Sequence, residues 1–217
     1  MNADQILEAI TIWSLPVIFA ITLHEAAHGW VANKLGDPTA RALGRITANP
    51  FKHIDPIGTV VVPLILVVLG GFVFGWAKPV PVDARNFKKP LQHMAIVAVA
   101  GPLSNLLMAC FWALILAFAI NWLEPGYWMA RPLAMMAQAG IVINLVLMTL
   151  NLLPLLPLDG GRVVAGLLSP VAAMRFMKIE PYGMIILLLL LFSGILGKIL
   201  GPVVAQFQTI IYSIVGI

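Results

Sequence analysis

The chain has 217 residues, of which 61% are apolar and 10% are charged, and its mean hydropathy is +0.99. An ordinary soluble domain carries about 25% charged residues, so this composition excludes a soluble globule as well as a disordered chain. The net charge of +4 fits orientation signals of a membrane protein better than a nucleic-acid-binding surface. We therefore expect an all-α membrane protein, a polytopic helical bundle that forms one integral domain over 1–217 and has no nucleic-acid partner.

The N-terminal region carries Asp4 and Glu8 but no Lys or Arg before Lys34. A secretory signal peptide needs a basic start, so we expect the first apolar segment to remain in the mature protein. The single cysteine, Cys110, lies in a long apolar stretch. It excludes both an internal disulfide bond and a cysteine-based zinc cluster, and we interpret it as a small core side chain.

Runs without charge mark where the chain can enter the membrane, because a helix of about 20 apolar residues spans a bilayer. These runs are 9–24, 56–77, 90–123, 132–158, 181–197 and 199–217. They predict spanning helices over 6–33, 92–122 and 132–153, the first of which continues past Glu25. The region 181–217 predicts C-terminal membrane helices that meet at Lys198 and Gly201-Pro202, either as a hairpin or as one crossing followed by an interfacial helix.

The run 56–77 contains Pro63 and a Gly70-Gly71 pair, so it fits either a short crossing or a re-entrant segment. If the polar residues of helix 6–33 share a site with those near Asp159, helices 6–33 and 132–153 must run in the same direction. The segment 34–91 then begins and ends on one side, so we predict that 56–77 re-enters, with its free backbone groups facing protein or water.

The same arrangement places 11 of the 13 Lys and Arg residues on one side of the membrane. By the positive-inside rule, that side is the cytoplasm. The loops of 34–91 are expected there as short, β-like segments, because the prolines between Lys78 and Pro90 forbid helix and favour extended geometry.

Three ionisable side chains lie together in the first predicted helix, in the sequence His24-Glu25-Ala26-Ala27-His28. An ionisable residue in a membrane helix costs about 2.5–3.5 kcal/mol on insertion scales, which makes a chance match to H-E-x-x-H improbable. The spacing puts both imidazoles on one helical face, where they can bind one Zn²⁺. Glu25 beside them is the expected general base, taking a proton from water and delivering it to the leaving amine.

A catalytic zinc usually has three protein ligands, so a third ligand is expected elsewhere in the chain. The remaining intramembrane acid is Asp159, which follows Pro154 and Pro157 and precedes Gly160-Gly161. The prolines end a helix and the glycines permit a tight backbone path that is forbidden to other residues, so Asp159 is predicted on irregular backbone at membrane depth, where an acid suits a ligand. The alternative role is the N-cap of a helix that starts near Gly160, and the two roles are compatible.

Three motifs together resemble the site-2 protease family of intramembrane zinc metalloproteases. They are the H-E-x-x-H motif at 24–28, Gly101-Pro102-Leu103-Ser104-Asn105, and the N-x-x-P-x-x-P-x-D-G pattern that begins at Asn151. The resemblance covers roughly 6–168 and implies a three-helix catalytic core of 6–33, 92–122 and 132–168. The loop Gly75–Val82 resembles a small prokaryotic branch, from which we expect a protein without the PDZ or CBS domains of other members.

This resemblance implies that His24, His28 and Asp159 bind one Zn²⁺ per chain and that Glu25 is the catalytic acid and base. It also implies that peptide bonds of transmembrane protein substrates are cut within or near the lipid bilayer. We accordingly expect an integral protein of the prokaryotic inner (plasma) membrane whose site is accessible from the cytoplasm.

The asparagines within the predicted helices need polar partners in lipid. Asn151 is predicted to donate to the substrate carbonyl or to the oxyanion, and its structural alternative is an interhelical hydrogen bond. Asn105 has two possible roles, one in fixing the site and one in holding the substrate backbone. Asn144 is expected to form an interhelical hydrogen bond.

Hydrolysis needs water, so the polar residues must line a cavity, and an intact substrate helix must unwind to expose its carbonyls. The valine-rich segments 58–68 and 78–82 are candidates for a strand edge that pairs with the unwound substrate. The rival hypothesis is a metal-binding membrane protein without protease activity, such as a transporter. A transporter predicts ligands without a base, so Glu25 beside His24 favours the enzyme. The sequence identifies neither the substrate nor the oligomeric state.

Overall fold

A computed structural model of the chain describes residues 3–55, 58, 61, 78–124 and 126–217. Within these ranges the regular structure is helical, and no β-strand is present. The helices are α1 (Ala3–Lys34), α2 (Thr39–Ala42), α3 (Pro90–Asn121), α4 (Ala130–Asn151), α5 (Asp159–Leu167), α6 (Pro170–Met177), α7 (Glu180–Phe192) and α8 (Ile195–Val215), with 3-10 turns at Pro50–Lys52 and Ala84–Asn86.

Among the described residues, helices α1, α3, α4 and α8 are long and apolar enough to cross a membrane. The shortest of them, α8, has 21 residues, which corresponds to about 31 Å at the rise of an α-helix. Helices are confirmed at the predicted positions 6–33, 92–122 and 132–153, as α1, α3 and α4, with ends that differ by at most a few residues. The predicted re-entrant run 56–77 lies outside the described residues, apart from Gly58 and Val61.

The C-terminal region divides at a different place from the one predicted. The break falls at Gly194, which has a φ of +72° that glycine adopts without strain, and not at Lys198 or Gly201-Pro202. Pro202 lies inside α8 and does not end it. A proline removes one backbone hydrogen bond from the helix, and membrane helices tolerate this loss. The 13-residue helix α7 is too short to span the bilayer, and it precedes α8, which is long enough to do so.

Helix α3 packs against α1, α4 and α5, and it runs antiparallel to α1. Its N-terminal half lies beside the C-terminal half of α1, as shown by contacts of His28 with Val97 and of Ala20 with Asn105. The buried core between α3, α4 and α8 consists of Ala109, Trp112, Ala113, Leu116, Ala137, Ile141, Leu145, Met148 and Ile211. This packing brings the C-terminal ends of α1 and α4 to one end of the bundle.

The two loop segments that flank 56–77 contact each other at that same end. Lys78 N donates to His53 O over 3.0 Å, and Asp83 N donates to the Asp37 carboxylate over 2.7 Å. The residues before and after 56–77 therefore lie together, beside the C-terminal end of α1.

The contact between Gly140 and Trp112 makes a testable prediction about the packing of α3 on α4. A Cβ atom at position 140 would lie 2.3 Å from Trp112 Cγ, whereas a Cβ at Gly197 in α8 would meet no atom within 4 Å. We expect Gly140→Ala to destabilise the protein by about 1–3 kcal/mol, because overpacking displaces the indole. The matched variant Gly197→Ala should be neutral or slightly stabilising. Thermal unfolding in detergent measures both, and equal unfolding midpoints would contradict the close packing.

Candidate metal centre

Two helices bring three side chains that could bind a metal ion together inside the bundle. His24 and His28 lie one turn apart on α1, and Asp159 is the first residue of α5. The Nε2 atoms of the two histidines are 3.0 Å apart, and Asp159 Oδ2 lies 3.3 Å from His24 Nε2 and 3.4 Å from His28 Nε2. Both imidazoles are buried. The described part of the chain thus contains a compact His-His-Asp group able to hold a metal ion.

Hydrogen bonds to the Nδ1 atoms determine the tautomer of each histidine. His28 Nδ1 lies 2.7 Å from Val97 O, a carbonyl that can only accept, so this nitrogen carries the proton. His24 Nδ1 lies 2.6 Å from Asn105 Oδ1. The Asn105 Nδ2 donates to Ala20 O over 3.2 Å, so its oxygen faces His24 and the Nδ1 of His24 is also the donor. In their neutral forms both histidines therefore turn an unprotonated Nε2 toward the carboxylate.

This donor set fits zinc. Two nitrogen lone pairs and a carboxylate oxygen converge within 3.4 Å, an arrangement that is repulsive without a cation. The edges of a tetrahedron with zinc–ligand bonds of 2.0–2.1 Å measure about 3.3 Å, close to the observed separations. Asp159 Oδ2 is buried and has no hydrogen-bond partner among the described residues. Three protein ligands with one open position are typical of a catalytic zinc.

Glycine lets α3 approach the histidine pair closely. A Cβ atom at Gly101 would lie 2.4 Å from His28 Nε2 and 2.6 Å from His24 Nε2. Any larger residue at position 101 would therefore clash with the two imidazoles. The motif that begins at Gly101 also supplies Asn105 one turn later, so one face of α3 both makes room for the histidines and orients one of them.

Asp159 reaches the site because the chain folds back tightly before α5. A Cβ atom at Gly160 would lie 2.3 Å from Leu152 O, and one at Gly161 would lie 2.5 Å from Leu156 N. Neither glycine has a positive φ, so the predicted reason for them is wrong: close approach of two backbone segments, not an unusual backbone conformation, requires them. Leu158, not Asp159, occupies the N-cap position, and Asp159 is the first residue of the helix. The predicted irregular backbone at Asp159 and its alternative role as the N-cap are therefore both wrong.

The His-His-Asp group opens onto a cavity of about 420 Å³ that Glu25 and Asn151 also line. Glu25 Oε2 accepts a hydrogen bond of 2.7 Å from Val80 N, which belongs to the segment after 56–77. Asn151 Nδ2 donates to Leu147 O over 3.0 Å, within its own helix. The structure therefore brings a carboxylate, an amide and three potential metal ligands to one concave space.

Asn105 lies behind the site and does not line this cavity. It is fully buried, accepts from His24, and donates to Ala20 O and to Asn144 Oδ1, the latter over 2.9 Å. Both of its amide hydrogens are thus engaged, so of its two predicted roles the geometry favours fixing the site over holding substrate. Asn144 in turn donates to Gly140 O over 2.8 Å and links α3 to α4.

Two contributions to the site were missed by sequence reasoning. Val97 O orients His28, and Val80 N contacts Glu25. Both are backbone groups, which every residue carries, so no residue type in the sequence could indicate them. The predicted strand edge at 78–82 must also be revised at one point, because the N–H of Val80 is already occupied by Glu25 and is not free to pair with substrate.

Comparisons with known proteins assign the chain to a class of enzyme. It is 41% identical over 190 residues to YwhC of Bacillus subtilis, which is named as a zinc metalloprotease, and the match covers 87% of this chain and 83% of that protein. It is 26% identical over 185 residues to Rip2 of Mycolicibacterium smegmatis, also named as a zinc metalloprotease, covering 83% of this chain and 66% of Rip2.

A more distant relative is the regulator of sigma E protease of Haemophilus influenzae, which is 28% identical over 156 residues, covering 64% of this chain and 34% of that protein. No family model and no solved structure matches the chain. The chain belongs to the site-2 protease family of intramembrane zinc metalloproteases. It is an integral membrane hydrolase of the metalloprotease class.

The contact between Asn105 and His24 predicts a measurable effect on metal binding. Replacing such an outer partner typically weakens metal affinity 10–100-fold, so we expect Asn105→Ala to raise the dissociation constant for zinc by about that factor. Ser104→Ala is the matched control, because Ser104 Oγ donates to Gly101 O on the same helix and contacts neither histidine. Competition with a zinc chelator measures both constants. Equal zinc affinity in the two folded variants would contradict the orienting role of Asn105.

Proposed function

We propose that this metalloprotease hydrolyses peptide bonds of transmembrane protein substrates, with one zinc ion held by His24, His28 and Asp159 and with Glu25 as the catalytic acid and base. One observation supports this proposal most strongly. The carboxylate of Glu25 lines the same cavity as the three convergent ligand atoms, so a base and a candidate metal site face the same cavity. A site built only to store or pass a metal has no need of that base.

Each residue has a distinct task in the proposed reaction. Zinc, when bound, supplies Lewis acidity that activates water and polarises a peptide carbonyl. Glu25 accepts the proton of the attacking water and then donates it to the nitrogen of the leaving amine, whose bond to the carbonyl carbon breaks. Asn151 has one amide hydrogen on Leu147 O, and the second is available to the carbonyl oxygen as negative charge develops on it.

The depth of the site supports a membrane-embedded substrate. His24 and His28 lie within the spanning helix α1, and α4 ends at Asn151. A substrate helix must unwind before its carbonyls reach this cavity, because an intact helix engages them in its own hydrogen bonds. The relative in Haemophilus influenzae is named a regulator of sigma E protease, a name consistent with cleavage of membrane proteins during regulated intramembrane proteolysis.

We place the protein in the plasma membrane of a prokaryotic cell, and its basic loops support an active site that is accessible from the cytoplasm. Lys34 ends α1, and Arg41, Arg45, Lys52 and Lys78 lie in the segments that pack beside that end. The positive-inside rule then orients this end, and with it the cavity that Pro79 and Val80 line, toward the cytoplasm. The whole of 1–217 forms one membrane domain in this proposal.

The proposal is tested by Glu25→Gln, which keeps the size of the side chain and removes the base. We expect this variant to bind zinc as the wild type does and to lose cleavage by about 10²–10⁴-fold, the usual contribution of a general acid–base. Glu8→Gln, on the exposed N-terminal part of the same helix, is the matched control and should cleave normally.

Co-expression with a panel of single-span membrane proteins, together with zinc analysis of the purified variants, measures both effects. Cleavage by Glu25→Gln at the wild-type rate would exclude Glu25 as the base. A transporter would instead retain metal transport in Glu25→Gln and cleave nothing in the panel.

A further inference from the structure

The segment Lys78–Val82, here called the arm, lies against the active-site cavity and contacts the proposed base directly. Pro79, Val80 and Val82 line the cavity, and Val80 N donates to Glu25 Oε2 over 2.7 Å. The Val80 side chain is 8% exposed and packs on α1 at Gly29, where an added Cβ would lie 3.0 Å from Val80 Cγ1. The arm is therefore seated on α1 one turn beyond Glu25.

Buried polar groups hold the arm on both sides of Val80. Before it, Arg45 Nη2 donates to Lys78 O over 2.8 Å. After it, Asp83 N donates to Asp37 Oδ2 over 2.7 Å. The position of the Val80 N–H thus depends on a guanidinium group and a carboxylate that come from the loop following α1.

Asp37 is the better anchored of these two groups. It is fully buried, and its other oxygen accepts from Thr39 N over 3.1 Å, from the Thr39 hydroxyl and from Asn86 Nδ2 over 2.7 Å. Burial by itself would raise the pKa of Asp37, but the donors from Thr39, Asn86 and Asp83 outweigh it and lower the pKa. The carboxylate therefore stays charged at neutral pH, which strengthens each of these bonds.

The chain between Asp83 and Val80 is stiff. Pro79 and Pro81 flank Val80, and each has a φ restricted to about −65°. Because the φ of Pro81, which lies between Val80 and Asp83, is not free to absorb a shift, movement of Asp83 is expected to displace the Val80 N–H. Glu25, by contrast, has a flexible side chain that needs an external contact to keep one orientation.

We propose that Asp37 is a positioning residue for this protease: it anchors the arm so that the Val80 N–H holds Oε2 of Glu25 and leaves Oε1 directed to the reaction. This inference rests on the proposed function, in which Glu25 is the base. A charge-assisted hydrogen bond restricts the carboxylate before substrate binds, and such preorganisation raises the rate of the chemical step. Asp37 acts through the arm and touches neither the ligands nor the cavity.

Amide hydrogen exchange tests the anchor without reference to activity. In the full-length protein labelled with ¹⁵N-valine in lipid nanodiscs, NMR follows the Val80 amide. We expect exchange at Val80 to be at least 10-fold faster in Asp37→Asn. The asparagine would replace one accepting oxygen with an NH₂ group, which cannot accept the hydrogen bonds that Thr39, Asn86 and Asp83 donate to the carboxylate. Glu25→Ala should release the same amide. Asp83→Asn is the matched control, since the Asp83 side chain bonds to Arg85 and does not hold the arm.

Kinetics test the catalytic consequence with a single-span substrate from the co-expression panel. We expect Asp37→Asn to lower kcat about 10-fold while KM and zinc content stay close to wild type. Asn86→Ala, which removes one donor from Asp37, should show a smaller change in the same direction and replaces Asp37→Asn if that variant does not fold.

Each result decides a different point. Wild-type exchange at Val80 in Asp37→Asn and Asn86→Ala would overturn the anchor. Faster exchange with unchanged kcat, or a loss of zinc that accounts for the lower activity, would overturn the positioning role. Absence of cleavage by the wild type would reject the proposed function, whereas the exchange result would still stand.

Discussion

Three lone-pair atoms that face one another inside an apolar bundle are the constraint on which this structure depends. The two Nε2 atoms and the carboxylate oxygen lie within 3.4 Å of one another, and buried polar atoms of this kind need a compensating charge. Glycines in the surrounding helices allow the backbone to come close enough for these three atoms to converge. Gly101 lets α3 reach the imidazoles, and Gly160 and Gly161 let α5 begin close to the end of α4.

A second set of polar residues makes the candidate metal centre compatible with a membrane interior. His24 is oriented by Asn105, Asn105 is held by Asn144, and Asn144 bonds to the backbone of α4. Each polar group in this series satisfies another, which is necessary where no water is available to do so. The same series links α1, α3 and α4, so the residues that fix the ligand also hold the three core helices in register.

The sequence predicted those features that depend on local spacing. Hydropathy located α1, α3 and α4, and the interval from His24 to His28 indicated a shared helical face. Features that depend on contacts between distant backbone groups could not be predicted in this way. The bond from Val80 N to Glu25 joins residues 55 apart in sequence, and it involves an N–H group that carries no signature of residue type. The helix break at Gly194 was missed because Pro202, a stronger breaking signal in sequence, is tolerated inside α8.

X-ray absorption spectroscopy at the zinc edge of the purified protein tests the central claim most directly. The account predicts one zinc per chain with nitrogen and oxygen ligands only, at about 2.0–2.1 Å, including two imidazoles. In Asp159→Ala, where one ligand is deleted, bound zinc should fall sharply. A sulfur ligand at about 2.3 Å, which would implicate Cys110, or an unchanged zinc environment in Asp159→Ala, would contradict the site described.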